Sequence, residues 1–308
     1  MADLSTTELT RYELIRCVHR GALGDTWRAR GDGVDVALKV ARDAGASSHL
    51  AREGWASALS CDDALPSFHD AGHVLHVSGD ATGRAATARG LPYLAVAWRE
   101  GETLAAPAGT PETLGALARG LATLHGTGLS HGDVKPENAI FGPRGAAWLD
   151  LGFAGPADGV EVRAATPRYL ARGDRDLGDA RARDLLAFGL VMAELVDDTV
   201  AAAERPLDVV RARTRSLPAP FDEIVEALTA PTPWSRPDAA WVAARLGAPP
   251  SPRSAVRSAY HRVRGAALAR TRGPVTDAWA GPLVAAGGGG PPPRRRPPAG
   301  VGPHPPPR

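Results

Sequence analysis

Residues 131–138 read His131-Gly132-Asp133-Val134-Lys135-Pro136-Glu137-Asn138. The last six place a carboxylate, an ammonium and a carboxamide in a loop directly after a helical stretch. Asp133 can accept a proton, Lys135 can neutralise a phosphoryl oxygen, and Asn138 can ligate a hard cation. Any one of these alone is an ordinary polar turn; the set is not. A few residues on, the apolar run Ala146-Ala147-Trp148-Leu149 ends in Asp150-Leu151-Gly152, which presents a second carboxylate. Magnesium takes oxygen ligands and is commonly held by one or two protein groups plus substrate phosphates, which suits Asn138 with Asp150.

Working outward, the helix before this loop spells its own boundaries. Thr110 is placed to cap it, Pro111 sits at the first helical position, and Glu112 faces the positive end of the dipole. Leu114, Leu117, Leu121 and Leu124 form one apolar stripe, and Gly126 and Gly128 end it. After the loop, residues 184–196 are apolar on nearly every side, which predicts a helix buried in the middle of the molecule. Residues 221–229 and 237–246 read as two more amphipathic helices.

Before the helix the grammar is that of strands. Apolar and β-branched residues cluster in Tyr12–Val18 and Val34–Val40, punctuated by Gly21, Gly24, Gly31 and Gly33. Residues 47–60 read as a helix, residues 78–90 as a loose loop and residues 91–98 as a short buried strand. Gly21 and Gly24 lie between two strands, where glycine lets backbone N–H groups approach a phosphate; a plain hairpin turn uses the same residues. Lys39 interrupts the apolar run Val36–Val40, and a buried ammonium needs a partner. Glu53, on the following helix, fits that role, although a lone helical glutamate is more often simply solvated. Strands first and helices after argue for an α+β fold, with a β-rich N-terminal lobe and a helical C-terminal lobe.

Composition supports these choices. The chain has 308 residues, 44% hydrophobic and 23% charged, enough for a full core. Of its 36 cationic side chains only two, Lys39 and Lys135, are lysine. Elsewhere arginine serves, so a compact ammonium is retained at just these two places. The net charge of +2 conceals an asymmetry: residues 249–308 carry ten Arg and one Asp, leaving residues 1–248 at −7. An acidic body with a basic tail does not argue for nucleic-acid binding. No window is apolar enough for a membrane span, and the N-terminus lacks the layout of a signal peptide. Cys17 and Cys61 have no metal-like spacing and read as reduced thiols of a cytoplasmic protein. The Arg/Ala-rich composition is that of a high-GC bacterium.

Together these stretches resemble the eukaryotic-type Ser/Thr protein kinases found in bacteria. Gly21-x-x-Gly24 is similar to the second half of the glycine loop, Val36-Ala37-Leu38-Lys39 to the strand carrying the phosphate-binding lysine, and residues 131–138 to the catalytic loop. Asp150-Leu151-Gly152 resembles the DFG element. Ala165–Ala171 resembles the end of the activation segment, Asp184–Gly189 the central buried helix, and Arg236-Pro237 the entry to a late helix. The likeness covers about residues 10–247, an N-lobe over about 10–98 and a C-lobe over about 99–247. Beyond it lie a stretch at 248–286, read as an Arg-rich helix and linker, and a Pro/Gly/Arg-rich tail at 287–308, read as disordered.

The resemblance implies ATP and Mg²⁺ as cofactors and a protein substrate offering a Ser or Thr hydroxyl. It implies that Lys39 holds the α- and β-phosphates with Glu53 as its partner. Asp133 accepts the hydroxyl proton, Lys135 screens the γ-phosphate, and Asn138 and Asp150 bind Mg²⁺. Adenine would lie between Val18 and Ala37 on one side and Ile140 on the other, against the hinge Ala97-Trp98-Arg99, with Val96 as gatekeeper. Neither nucleic acid nor a membrane span belongs to this picture; the tail, through Pro291–Pro298, is a candidate for a partner of its own.

The departures are specific. His19 replaces the first loop glycine, and Thr26 the valine that covers adenine. Gly132 stands where arginine is usual, and residues 153–165 contain no Ser, Thr or Tyr. This predicts activity without activation-segment phosphorylation. Ala171-Arg172-Gly173 lacks the glutamate that would pair with Arg236, leaving either Asp174 as substitute or Arg236 without that partner. Two other classes share parts of the pattern: small-molecule kinases of the aminoglycoside and choline type, through His-Gly-Asp-x-x-x-x-Asn, and an ATP-binding pseudokinase scaffold.

Overall fold

The computed structural model describes residues 8–9, 11–78, 87–104, 109–157, 166–171, 179–213 and 216–248. Both the Arg-rich stretch from 249 onward and the tail at 287–308 lie outside the described residues.

The chain opens with strands β1 (Glu8–Leu9), β2 (Tyr12–Arg20), β3 (Gly24–Gly31) and β4 (Val34–Ala41). Helix α1 (Ser47–Leu59) follows, then β5 (Phe68–His73), β6 (Val77–Ser78) and β7 (Pro92–Ala97). All seven strands form one antiparallel sheet in the order β5-β7-β4-β3-β2-β1-β6. Alternation along β4 decides its two faces. Val36, Leu38 and Val40 join Tyr12, Leu14 and Tyr93 in one apolar layer. Ala37 and Ala41 turn to the other face, against Leu50 of α1, Leu94 and Val96.

The helical part follows. It comprises β8 (Glu102–Thr103), α2 (Pro111–Gly126), β9 (Leu129–Ser130), β10 (Ala139–Gly142), β11 (Gly145–Trp148) and β12 (Gly155–Pro156), then α3 (Ala180–Val196), α4 (Asp198–Ala201), α5 (Pro206–Arg213), α6 (Phe221–Leu228) and α7 (Ala239–Arg245). The cap of α2 is as its sequence predicts: Thr110 Oγ1 accepts from Thr113 N at 3.2 Å, with Pro111 in the first turn. Its four stripe leucines are fully buried, each contributing roughly 1.5–3 kcal/mol. Helix α3 is buried continuously from Ala182 to Leu195. It starts four residues before the predicted Asp184, because Asp179 caps it by accepting from Arg181 N at 2.9 Å. Trp148 joins these layers: its ring lies edge-on to His131 and to Phe188, centroids 5.3 and 5.9 Å apart, and its Nε1 donates to Leu117 O at 2.9 Å.

The fold is thus mixed α+β, an antiparallel N-terminal sheet with helices after it. No described helix is long and apolar enough to cross a membrane.

Candidate functional site

Lys39 lies on the α1 face of β4, in register with Thr26 on one side and Leu94 on the other. An ammonium among apolar neighbours is tolerated only when neutralised. Glu53, on the inner face of α1 and 1% exposed, places Oε1 2.5 Å from Lys39 Nζ. Asp150 Oδ1 stands 3.9 Å from the same nitrogen. Burial opposes the Lys39 charge, yet the two carboxylates outweigh it and hold the ammonium above its ordinary value. Burial also pushes the Glu53 carboxyl up, to about 7, against the pull of Lys39. Glu53 Oε2 is buried with no hydrogen-bond partner among the described residues. For Asp150 burial is overcome by Lys39 and by the Gly152 N–H, 2.8 Å from Oδ1, so its carboxyl falls below the usual range.

The second group is built on the loop after β9. Asp184, near the start of α3 and 2% exposed, accepts from His131 N at 2.6 Å and Gly132 N at 2.9 Å. His125 Nε2 lies 2.9 Å from the same carboxylate. These contacts hold the Asp184 carboxyl below its ordinary value despite burial. Gly132 adopts φ +84°, and a Cβ there would come within 2.5 Å of Phe153 O, so the loop needs glycine at this place. Downstream the chain tightens into a 3₁₀ turn at Pro136–Asn138. Asn138 Nδ2 donates to Asp133 Oδ2 at 2.9 Å and to Asp133 O at 2.8 Å. Lys135 Nζ stands 2.7 Å from Asp133 Oδ2.

The residues predicted to line a nucleotide are carried on the same elements. Val18 sits at a register shift in β2, two residues before the strand ends at Arg20 and the Gly21–Gly24 turn begins, a turn closed by Gly21 N donating to Gly24 O at 2.8 Å. Ala37 pairs with Val96 across β4 and β7, putting both on the Lys39 face. Ala97, Trp98 and Arg99 leave β7 toward the helical part; Arg144 donates to Trp98 O at 2.7 Å. Ile140 is buried on β10, between Thr103 and Ala147. No cluster of three His, Cys, Asp or Glu side chains suited to a metal occurs among the described residues.

Some contacts escape a linear reading. Thr166 Oγ1 donates to Asp133 Oδ1 at 3.0 Å, so it serves the loop. Arg168 and Tyr169 both bind Glu194 of α3, at 2.9 Å through Nε and 2.8 Å through the hydroxyl. Arg236 is 6% exposed and donates to Ala182 O at 2.8 Å and Ala230 O at 3.1 Å; it is an anchored side chain. Asp174, the suggested substitute partner, lies outside the described residues.

Comparison with known proteins gives no matching family model. Among curated relatives, AfsK, a serine/threonine-protein kinase of Streptomyces coelicolor, is 29% identical over 175 residues, 52% of this chain and 21% of its own. AfsK of Streptomyces griseus is 28% identical over 197 residues, 58% of this chain and 23% of its own. The chain therefore spans about a fifth of the length of these two. The serine/threonine-protein kinase PknL of Mycobacterium bovis is 30% identical over 310 aligned positions, 85% of this chain and 73% of its own. A likeness that runs through most of both chains carries the conclusion that this chain belongs to the serine/threonine protein kinase family.

Proposed function

We propose that residues 10–247 form a bilobal catalytic domain that transfers the γ-phosphate of ATP to Ser or Thr hydroxyls of protein substrates. The observation that carries the reading is a pair of clusters on neighbouring segments, Lys39 and Glu53 with Asp150, and Lys135 and Asn138 with Asp133, the segments joined where Leu149 N donates to Asn138 O at 2.8 Å.

The residues fit the cofactors. Two ammoniums suit a polyphosphate. The carboxylate of Asp150 and the carboxamide oxygen of Asn138, whose nitrogen is engaged by Asp133, are hard donors suited to Mg²⁺. Bound MgATP supplies the phosphoryl group and a cation that neutralises its charge. The chain's own work is positioning and electrostatics. Lys39, held by Glu53, binds the α- and β-phosphates. Val18, Gly21, Gly24, Ala37, Val96, Ile140 and the 97–99 hinge enclose the nucleotide. Asp133 orients the substrate hydroxyl and takes its proton, with Thr166 and Asn138 fixing its two oxygens. Lys135 offsets charge on the γ-phosphate.

The test is acceptor identity. With labelled ATP, Mg²⁺ and a generic basic protein, label should appear as phosphoserine and phosphothreonine. Label on an aminoglycoside or choline but on no protein would move the chain to the small-molecule kinases.

A further inference from the structure

The roles above leave two side chains of α1 unexplained. His49 lies one helical turn before Glu53 and shares its face; Arg52 directly precedes it. The buried His49 ring meets the Phe153 ring edge-on, with centroids 4.5 Å apart and planes at 76°. Gly152 lies so close under the imidazole that a Cβ there would run into it. Arg52 Nε donates to Gly152 O at 3.2 Å, and Gly152 N donates to Asp150 Oδ1 at 2.8 Å. On its other side Phe153 presents its carbonyl to Gly132, as described above. Phe153 is thus wedged between α1 and the Asp133 loop. The thirteen-residue stretch from Phe153 to Ala165 offers no hydroxyl to phosphorylate.

We propose that His49 and Phe153 form a ring-on-ring clamp, seconded by Arg52 on the Gly152 carbonyl, that fixes α1 against the Asp150 segment. His49 is then a positioning residue. It keeps Glu53 on Lys39 without any phosphoryl group on residues 153–165. The proposal rests on the phosphotransfer reading for its consequence, but the clamp itself is a matter of packing.

The experiment uses the full chain with His49→Ala, Phe153→Ala, the double variant and Phe153→Tyr. Amide hydrogen exchange over residues 47–59 is measured beside kcat and KM. Each alanine variant should speed exchange across α1 and lower kcat by about tenfold, with KM for the protein acceptor nearly unchanged. The double variant should fall little further than either single, because both remove the same contact. Phe153→Tyr, which keeps the ring, should stay within about threefold of wild type. Wild type shown by mass to be free of phosphate after phosphatase treatment should keep its kcat.

Unchanged α1 exchange in both alanine variants, additive losses in the double, or loss of kcat on dephosphorylation would each overturn the clamp. Should wild type transfer no phosphate at all, the exchange result still decides. Faster exchange supports the clamp and unchanged exchange removes it, while only the phosphotransfer reading is withdrawn.

Discussion

Thr166 Oγ1 donates to Asp133 Oδ1 at 3.0 Å, across 33 residues of chain. With Asn138 on the other oxygen, it fixes the plane of the carboxylate proposed above to receive the substrate proton. A hydrogen bond to a charged group contributes about 1.5–3 kcal/mol.

Replacing Thr166 by Ala should therefore lower kcat by about tenfold or more, leaving KM for ATP nearly unchanged. Thr166→Ser, which keeps the hydroxyl, should recover most of the rate. Steady-state kinetics of the three proteins check this; an Ala variant as fast as wild type would separate Thr166 from the site.

The Glu53 carboxyl is pushed up to about 7 from an ordinary 4.5. Between these values the folded chain holds a proton that the unfolded chain has lost, so this group makes stability fall as pH rises. Activity runs the other way, since the ion pair with Lys39 needs the carboxylate. We expect kcat/KM to drop about tenfold per pH unit below about 7, and Glu53→Gln to be slower but without that limb. A variant retaining the full acid limb would assign it to another group.

Gly132→Ala meets two obstacles, a φ of +84° and the Phe153 carbonyl 2.5 Å from the new Cβ. It should cost about 1–3 kcal/mol of stability, read from urea unfolding. An unchanged midpoint would mean that the loop relaxes without penalty.

Asp184 is held ionised inside the protein, its carboxyl below the ordinary range. Its contribution is present above the unfolded value and is lost as pH falls through the folded one. Asp184→Asn should destabilise the chain by about 3 kcal/mol at neutral pH. The gap to wild type should narrow in acid; a gap that is constant with pH would contradict the assignment.

Much of this architecture could be read along the chain. The retention of lysine at just two places singled out Lys39 and Lys135. The cap and leucine stripe of α2 announced its limits, because helix ends and amphipathic faces are set by local chemistry. Strand β5 was not visible: Phe-His-Asp-Ala-Gly-His shows no alternation, and its residues are half-buried or exposed. The first turn of α3 is hidden in the sequence because Arg181 and Arg183 interrupt the apolar run, while Asp179 supplies the cap. Contacts between distant stretches, such as Arg52 with Gly152 and Thr166 with Asp133, follow no spacing rule and emerge only in three dimensions. The pairing of Lys39 with Glu53 was legible because a buried ammonium demands a partner.

The most direct test of the central claim is the rate of γ-phosphate transfer from labelled ATP, for wild type and Asp133→Asn side by side. The account predicts that the variant loses about a hundredfold or more in kcat while still binding ATP. Equal incorporation by the two proteins would contradict it.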